Sequence, residues 1–430
     1  MIKKLINWFK KDAVGHIIIP RSEHGISRDA ISSNALKVLY RLNKAGFSAY
    51  LVGGCIRDLL LGKHPKDFDI ATNADPDQIK RLFSNCRLIG RRFRLAHVHF
   101  GRDIIEVATF RAKHSASTVK NDDGMILRDN VYGSIQEDAI RRDFTVNALY
   151  YNIANFTVED FVGGMQDIAK RQITLIGDPE LRYREDPVRM LRAIRFAAKL
   201  KFEIHPLTAK PIHDFNHLLA NIPAARLFEE YAKLFLSGHA FDTFTMLCEY
   251  GLFAQLFPRT AKFLPNNKLI ELALHNTDQR FADGKSIAPS FLLAVFLWQP
   301  VVAQAKAYMT DKMSEFIAYD KAMDKILSEQ QKVMSVPRRY SSMIRDVWEL
   351  QLRLQKKPSA NSAARIFSLA KFRAGYDFLL LRVESGEQQI AEVAAWWRDY
   401  VETDEEGRSK IAFHKHPNKP RTRPKSKQAT

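Results

Sequence analysis

Between residues 26 and 165 the apolar positions alternate between helical spacing and short extended runs. An amphipathic stretch from Ala30 to Ala45 leads into the apolar run Ala49–Gly53, which predicts a helix followed by a strand. A brief helix over Ile56–Leu61 and a second strand over Asp67–Ala71 follow. Asp75-Pro76-Asp77 then opens another helix, and Leu95–Phe100 and Asp103–Phe110 read as two more strands. Such a pattern predicts a compact α+β unit, with helices packed on a mixed or antiparallel sheet.

Residues 112–130 are polar and aperiodic and read as a flexible loop. From about 178 to 400 the period is helical almost throughout, as in Pro187–Leu200, Ala224–Leu236, Phe241–Leu252 and Ile366–Val383. The expected organisation is therefore a basic leader (1–25), an α+β head (26–165), a helical neck (166–240), a helical C-terminal body (241–403) and a disordered basic tail (404–430). In the leader, Ile2, Leu5, Ile6 and Phe9 fall at helical spacing opposite Lys3, Lys4, Lys10 and Lys11. That is either a short basic helix resting on a membrane surface or a frayed tail.

Composition narrows the class. With 430 residues and 46% hydrophobic content the chain has material for two to four cored units. The longest uninterrupted apolar run, Phe291–Trp298, is eight residues, whereas a membrane-spanning helix needs about twenty. The N-terminal segment lacks the apolar core and cleavage site of a secretory signal. Three scattered cysteines do not make a disulfide framework or a zinc knuckle, so a reducing, cytoplasmic setting is expected. The net charge of +18 points to a polyanionic partner. Residues 1–25 carry five basic and two acidic groups, and residues 407–430 carry eight basic and none acidic. The two ends thus supply +11 of the charge, leaving the remainder only mildly basic.

The chemistry concentrates in Leu51-Val-Gly-Gly-Cys-Ile-Arg-Asp58 and the following Lys66-Asp-Phe-Asp-Ile70. Gly53 and Gly54 after a strand let backbone approach a phosphate, with N–H groups of the next helix facing it. Asp67 and Asp69, two apart on an extended segment, present carboxylates on one face. Hard oxygens so placed suit Mg²⁺ shared with nucleotide phosphates. Glycine pairs and D-x-D pairs are each common in ordinary turns, and it is their succession across a short helix that is specific.

This succession, G-G-x-x-R-D then D-x-D, resembles the class II nucleotidyltransferases, the family of tRNA CCA-adding enzymes and bacterial poly(A) polymerases. Arg141-Arg-Asp-Phe-Thr-Val-Asn147 and Glu185-Asp-Pro-Val-Arg189 look like two further motifs of that family. On a helix, Asp143 and Asn147 would share a face, as would Glu185 and Arg189, offering donors and acceptors to a base edge; surface ion pairs are the plainer alternative. Leu88-Ile-Gly-Arg-Arg-Phe-Arg-Leu-Ala-His-Val98, Leu127-Arg-Asp-Asn130, Tyr183–Phe196 and the basic C-terminal extension resemble the poly(A) polymerase subgroup. The likeness runs from about His24 to Tyr400.

The resemblance implies template-independent transfer of AMP from ATP to RNA 3′ ends with release of pyrophosphate, in mRNA processing and decay. Two Mg²⁺ ions, with Mn²⁺ as an alternative, would be held by Asp67 and Asp69, and Asp143 would belong to the same active site. Gly53, Gly54, Arg57, Arg142, Asn147, Glu185, Asp186, Arg189 and Arg192 would bind the nucleotide. The neck (166–240) would carry nucleotide-selecting and RNA-binding elements, the body (241–403) would bind RNA, and Arg91, Arg92, Arg94, Arg408, Lys419, Arg421 and Arg423 would contact it. An RNA chaperone or degradation machinery are the implied partners. The alternatives are a CCA-adding enzyme, a non-catalytic RNA-binding adaptor and, less in keeping with the charge, a nucleotidyltransferase for small molecules or proteins.

From the residues alone, Glu106 stands on the face of its strand opposite Ile105 and Val107. It is either a third carboxylate beside the aspartate pair or a polar residue on a half-buried strand. His97 and His99 have no Cys or carboxylate at ligand spacing and read as structural. Seven arginines between residues 81 and 111, and seven basic residues between 182 and 201, suit phosphate binding or simply solvated faces.

Overall fold

The computed structural model describes residues 15–90, 94–112, 119–120, 126–128, 131–264, 267–310 and 313–408. The described residues form two compact units, those within 1–222 and 242–255, and those within 223–241 and 256–430. The division does not follow the expected head–neck boundary at 165. Residues 166–222 pack with the head because Thr145 N–H donates to Thr174 O at 3.0 Å and Ile176 N–H to Asp143 O at 2.9 Å.

The first unit is built on a mixed eight-stranded sheet: β1 (Ile17–Ile19), β2 (Ala49–Val52), β3 (Asp69–Thr72), β4 (Cys86–Ile89), β5 (Leu95–Phe100), β6 (Asp103–Thr109), β7 (Leu149–Asn152) and β8 (Thr157–Asp160). The strand order is β1-β8-β7-β2-β3-β6-β5-β4. Every neighbouring pair is antiparallel except β3 and β6, which run parallel with Ile70 opposite Val107. Residues 15–25 are not a leader. Ile17–Ile19 pairs with Val158–Asp160 at the sheet edge and His24 is buried, its Nε2 2.8 Å from Phe156 O. The strand takes its stability from a partner some 140 residues away, which local spacing does not reveal. Residues 1–14, where the amphipathic lysine pattern falls, lie outside the described residues.

Five helices of this unit matter for the site. In α1 (Ser33–Lys44), Ala35, Val38, Leu39 and Leu42 are buried at helical spacing, and the Ser32 hydroxyl caps its start by accepting from Asn34 N–H. Helix α2 (Gly54–Leu60) follows β2 directly. Helix α3 (Ile135–Arg141) begins with a capping box between Ser134 and Glu137. Helix α4 (Pro179–Glu185) is capped by Asp178 and stops because Pro187 forces Asp186 into an extended conformation, φ −152° and ψ 92°. Helix α5 (Val188–Leu200) then starts anew. Within the expected 112–130 loop, Val119–Lys120 pairs with Ile126–Arg128 as a short antiparallel ladder.

The second unit is helical. Its centre is α6 (Pro289–Thr310), long and apolar enough by composition to cross a membrane, yet mostly buried inside the unit. Trp298 of α6 and Trp348 of α7 (Arg338–Leu354) are fully buried, and Trp348 Nε1–H donates to Ala294 O at 3.0 Å. The stretch Ile366–Val383, expected as one helix, is broken: α8 (Ala360–Phe367) ends near Ser368 and α9 (Phe372–Glu384) resumes beyond Lys371. Helix α10 (Ala391–Glu402) completes this end. Within the expected tail, residues 405–408 form a further helical turn and Arg408 Nε donates to Tyr400 O at 3.0 Å, while residues 409–430 lie outside the described residues.

Candidate active site

Strand β3 begins at Asp69, so Asp67 lies in the segment before it rather than on the strand. The alternation persists: Asp67 and Asp69 are exposed on either side of buried Phe68. Asp69 sits beside Val52, the last residue of β2, and the chain then turns through Gly53 into α2. The glycine turn and the aspartates therefore meet at one end of the sheet. Gly53 has φ 83° and ψ −137°, and a Cβ there would lie 3.7 Å from the Arg142 Nη1. An L side chain is strained in this conformation.

The parallel register of β3 and β6 settles where Glu106 stands. Because Ile70 is level with Val107, Asp69 and Glu106 are neighbours, both exposed, next to the buried Ile70–Val107 pair. The consequence is electrostatic. Loss of solvation, reinforced by the charges of Glu106 and Asp67 and opposed by Arg142, pushes the Asp69 carboxyl up to about 6. On the far side of Glu106, His97 Nε2 lies 3.5 Å from Oε1, and His99 forms no metal-ligand group with it. Beneath the strand end, Cys55 is buried and its thiol pushed up to about 12, chiefly by burial, so it is a neutral wall.

Among the described residues no three His, Cys, Asp or Glu side chains form a complete metal-holding group. Two exposed carboxylates with a third alongside instead match a cation whose remaining ligands are phosphate oxygens and water, as is usual for Mg²⁺.

The Asp69 face of the sheet continues into a polar network that the sequence reading missed. Asp138 of α3 is buried; its Oδ2 accepts from Tyr150 OH at 2.7 Å and from Arg142 Nη2 at 3.0 Å, and its Oδ1 from Arg111 N–H at 3.2 Å. Arg142 Nε also donates to Tyr150 Oη at 2.8 Å. Burial alone would lower the Arg142 pKa, but Tyr150 and Asp138 reverse this and hold the guanidinium charged. The i,i+4 spacing of Asp138 and Arg142 was the legible signal.

Asp143 and Asn147 are not on a helix: α3 ends at Arg141 and a 3₁₀ turn spans Thr145–Asn147. They still meet, with Asn147 Nδ2 3.4 Å from Asp143 Oδ1. That Oδ1 also accepts from Phe144 N–H at 2.8 Å, and Oδ2 accepts from Arg192 Nε at 2.7 Å and from its Nη2. Burial disfavours the charged carboxylate, yet Arg192, the Phe144 amide and Asn147 outweigh it and hold Asp143 down to about 2. Both its oxygens are thus occupied by protein donors. Gly164 seats this turn, since a Cβ there would meet Thr145 O at 2.3 Å.

Arg57 is only 2% exposed. Its Nε and Nη2 donate to Asp58 Oδ1 at 2.9 and 2.7 Å and its Nη1 to Asn147 Oδ1 at 2.5 Å. It locks α2 to the 143–147 turn instead of presenting a free cation to phosphates. Asp58, Arg57, Asn147, Asp143 and Arg192 form one hydrogen-bonded chain from α2 to α5.

Glu185 and Arg189, expected on one helix, lie on α4 and α5 and meet across the Pro187 break, with Nη1 3.2 Å from Glu185 Oε2. Glu185 also accepts from Arg182 at 3.0 Å, and Arg182 Nη2 donates to the carbonyls of Arg141 and Arg142. The Asp186 carboxylate accepts from Val188 N–H at the start of α5. Burial, then the mutual repulsion of Arg111, Arg182, Arg142 and Arg189, brings Arg141 down to about 9. Burial and Arg189, opposed by Glu185, bring Arg182 to about 10. A crowded, half-buried set of cations is stabilised by an anion placed among them.

Of the expected RNA-binding residues, Arg94 is exposed and bidentate to Asp77 at 2.9 and 3.1 Å. Arg408 folds back over the Phe367 ring at 4.3 Å and is not part of an open tail. Arg91, Arg92, Lys419, Arg421 and Arg423 lie outside the described residues.

Family models match three parts of the chain: the Poly A polymerase head domain over residues 49–174, the probable RNA and SrmB-binding site of polymerase A over 201–264, and the polymerase A arginine-rich C-terminus over 311–429. Poly(A) polymerase I of Salmonella typhimurium is 50% identical over 397 residues, covering 89% of this chain and 85% of that protein. The chain belongs to the poly(A) polymerase family. Poly(A) polymerase I of Haemophilus influenzae is 45% identical and covers 96% of this chain and 95% of its own length. The fold is shared with CCA-adding enzymes: the Thermotoga maritima enzyme complexed with tRNA has a TM-score of 0.61 at 21% identity, covering 94% of this chain and 92% of that one. An α+β head followed by helices is thus the family's architecture, and the Gly53–Gly54 and Asp67–Asp69 motifs fall at the carboxylate end of this sheet.

Proposed function

We propose that this chain is a template-independent poly(A) polymerase that adds AMP from ATP to RNA 3′ ends and releases pyrophosphate. The observation that carries the reading is the meeting of Asp67, Asp69 and Glu106 with the Gly53 turn at one sheet end, in a chain half identical to poly(A) polymerases over most of its length. Asp67 and Asp69 would hold the metals, with Glu106 alongside. When bound, two Mg²⁺ ions, or Mn²⁺, supply charge neutralisation at the reacting phosphate and a more acidic attacking hydroxyl.

The protein's own residues supply position and charge. The backbone of Gly53 and Gly54, opening α2, receives the triphosphate. Arg142 is kept charged and oriented by Asp138 and Tyr150, and so is a fixed donor beside those glycines. Asp143 acts as a positioning residue: it holds Arg192, and through Asn147 it steadies Arg57 under α2. Asp186, Arg189 and Arg192, around the Pro187 break, would read the base edge, with Glu185 fixing Arg189. Preorganised charge of this kind accounts for most of such a rate enhancement.

RNA 3′ ends and ATP are the partners this reading requires, in a cytoplasmic setting, with transcripts then passed to processing or decay. An RNA chaperone, degradation enzymes and a membrane contact through residues 1–14 belong to the same proposal as further partners. A CCA-adding activity is the second reading, favoured by the shared fold. Labelled RNA incubated with each NTP separately distinguishes them: a long ladder with ATP alone marks a poly(A) polymerase, and CTP incorporation before ATP marks the other.

A further inference from the structure

Phe196 of α5 is only 8% exposed, and three guanidinium groups converge on its ring. The Arg57 Cζ lies 5.3 Å from the ring centroid, that of Arg192 5.4 Å and that of Arg195 4.7 Å. Arg57 comes from α2, whereas Arg192 and Arg195 precede Phe196 on its own helix. The ring of Phe144, next in sequence to Asp143, meets Phe196 in a T-shaped contact at 5.7 Å. One side chain thus borders α2, the 143–147 turn and α5 together.

The crowding is electrostatic as well as steric. Lys199, one turn beyond Arg195, stands in the same field: burial brings its amine below the ordinary value, Asp58 opposes this, and Arg57 and Arg195 add to it. Asp58 and Asp143 bond the edges of Arg57 and Arg192. A guanidinium is planar with its N–H groups in that plane, so its faces donate no hydrogen bonds. The electron-rich face of an aromatic ring attracts the part of the cation that the carboxylates leave uncovered, most strongly where water is excluded.

We propose that Phe196 is a positioning residue of the AMP-transfer site, its ring holding Arg57 and Arg192 and, through them, α2 and the 143–147 turn. The proposal rests on the reading that this site binds ATP. A Cβ on Gly54 would lie 3.4 Å from Arg57 Nη2, so the first of these guanidiniums stands against the turn that receives the triphosphate. The second, Arg192, belongs to the group that reads the base edge. Loosening them weakens the capture of ATP and spares the transfer step, because Asp67, Asp69 and Glu106 stand on the sheet and not on this ring.

The test replaces Phe196 in the full chain with phenylalanines carrying one, two and three ring fluorines. Fluorine keeps the shape of the ring and drains its face of electron density. Phe196→Leu, which keeps a buried apolar side chain without a ring, is measured beside them. The KM for ATP should climb with each fluorine, to about tenfold at three, with kcat and RNA affinity unchanged. Phe196→Leu should match or exceed the trifluoro variant. Exchange of the Arg192 Nε proton with solvent, followed by nitrogen NMR without substrate, should quicken in the same order. A KM flat across the series, a fall in kcat with KM unchanged, or proton exchange indifferent to fluorine overturns the proposal. If Phe196→Leu does not fold, the fluorine series, which preserves the packing, decides alone. If the native chain adds no AMP, the polymerase reading fails, and the Arg192 exchange rates still judge the ring.

Discussion

Arg192 donates from Nε to Asp143 Oδ2 at 2.7 Å, fastening α5 to the turn that follows α3. Asp143 is mostly buried and Arg192 about one third exposed, so breaking the pair should cost less than a fully buried one, about 2 kcal/mol. Asp143 is held at about 2 against an ordinary value of 3.8. A depressed carboxylate contributes stability that is present above its unfolded value and is lost as pH falls toward the folded one. Urea unfolding should therefore show Asp143→Asn destabilised at pH 7, with the gap closing between pH 4 and 2. A gap independent of pH would contradict the assignment.

The neighbouring pair Asp69 and Glu106 has the opposite sign. Asp69 is raised to about 6, so its charge disfavours the folded state above that pH and costs nothing below about 4. In EDTA at pH 7.5, Asp69→Asn should raise the melting temperature, by on the order of 2 °C, while abolishing AMP addition. Glu106→Gln should lower the Asp69 value by removing a like charge, which carboxylate NMR titration reads directly. No movement of that titration on replacing Glu106 would separate the two groups.

Gly53→Ala places a side chain at φ 83°. The backbone strain there is about 1–3 kcal/mol, and the change also falls where backbone approaches the triphosphate. The expected result is a KM for ATP raised at least tenfold with RNA affinity unchanged. Wild-type kinetics in this variant would remove the glycine turn from the nucleotide site.

The basic residues of 407–430 should add RNA affinity without sequence preference. Deleting 409–430 removes seven cations and should flatten the salt dependence of RNA binding while leaving the rate at saturating RNA intact. Salt titration of binding by the truncated chain checks this, and an unaltered slope would count against it.

Local spacing carried the alternation of the head, the helical remainder, and the Gly53 and Asp67–Asp69 motifs, because each is written within a few residues. What it left open or missed depends on distant partners. Glu106 becomes a neighbour of Asp69 only through the parallel β3–β6 register, and Ile17–Ile19 is a strand only because Val158–Asp160 lies beside it. Arg57 has the sequence position of an open phosphate ligand but is buried against Asp58 and Asn147. Two further features are written in the sequence itself. Pro187 breaks the segment that was to carry Glu185 and Arg189 on one helix, and Asp138–Arg142 has the spacing of a helical ion pair.

The central claim is that the Asp67–Asp69 end of the sheet transfers AMP to RNA. Labelled RNA, Mg²⁺ and each NTP in turn, with the native chain, Asp67→Asn and Asp69→Asn side by side, test it most directly. The account predicts a long ladder with ATP alone from the native chain, none from either variant, and RNA binding within about twofold in all three. Full-length ladders from either variant, or no ATP-dependent extension by the native chain, would contradict it.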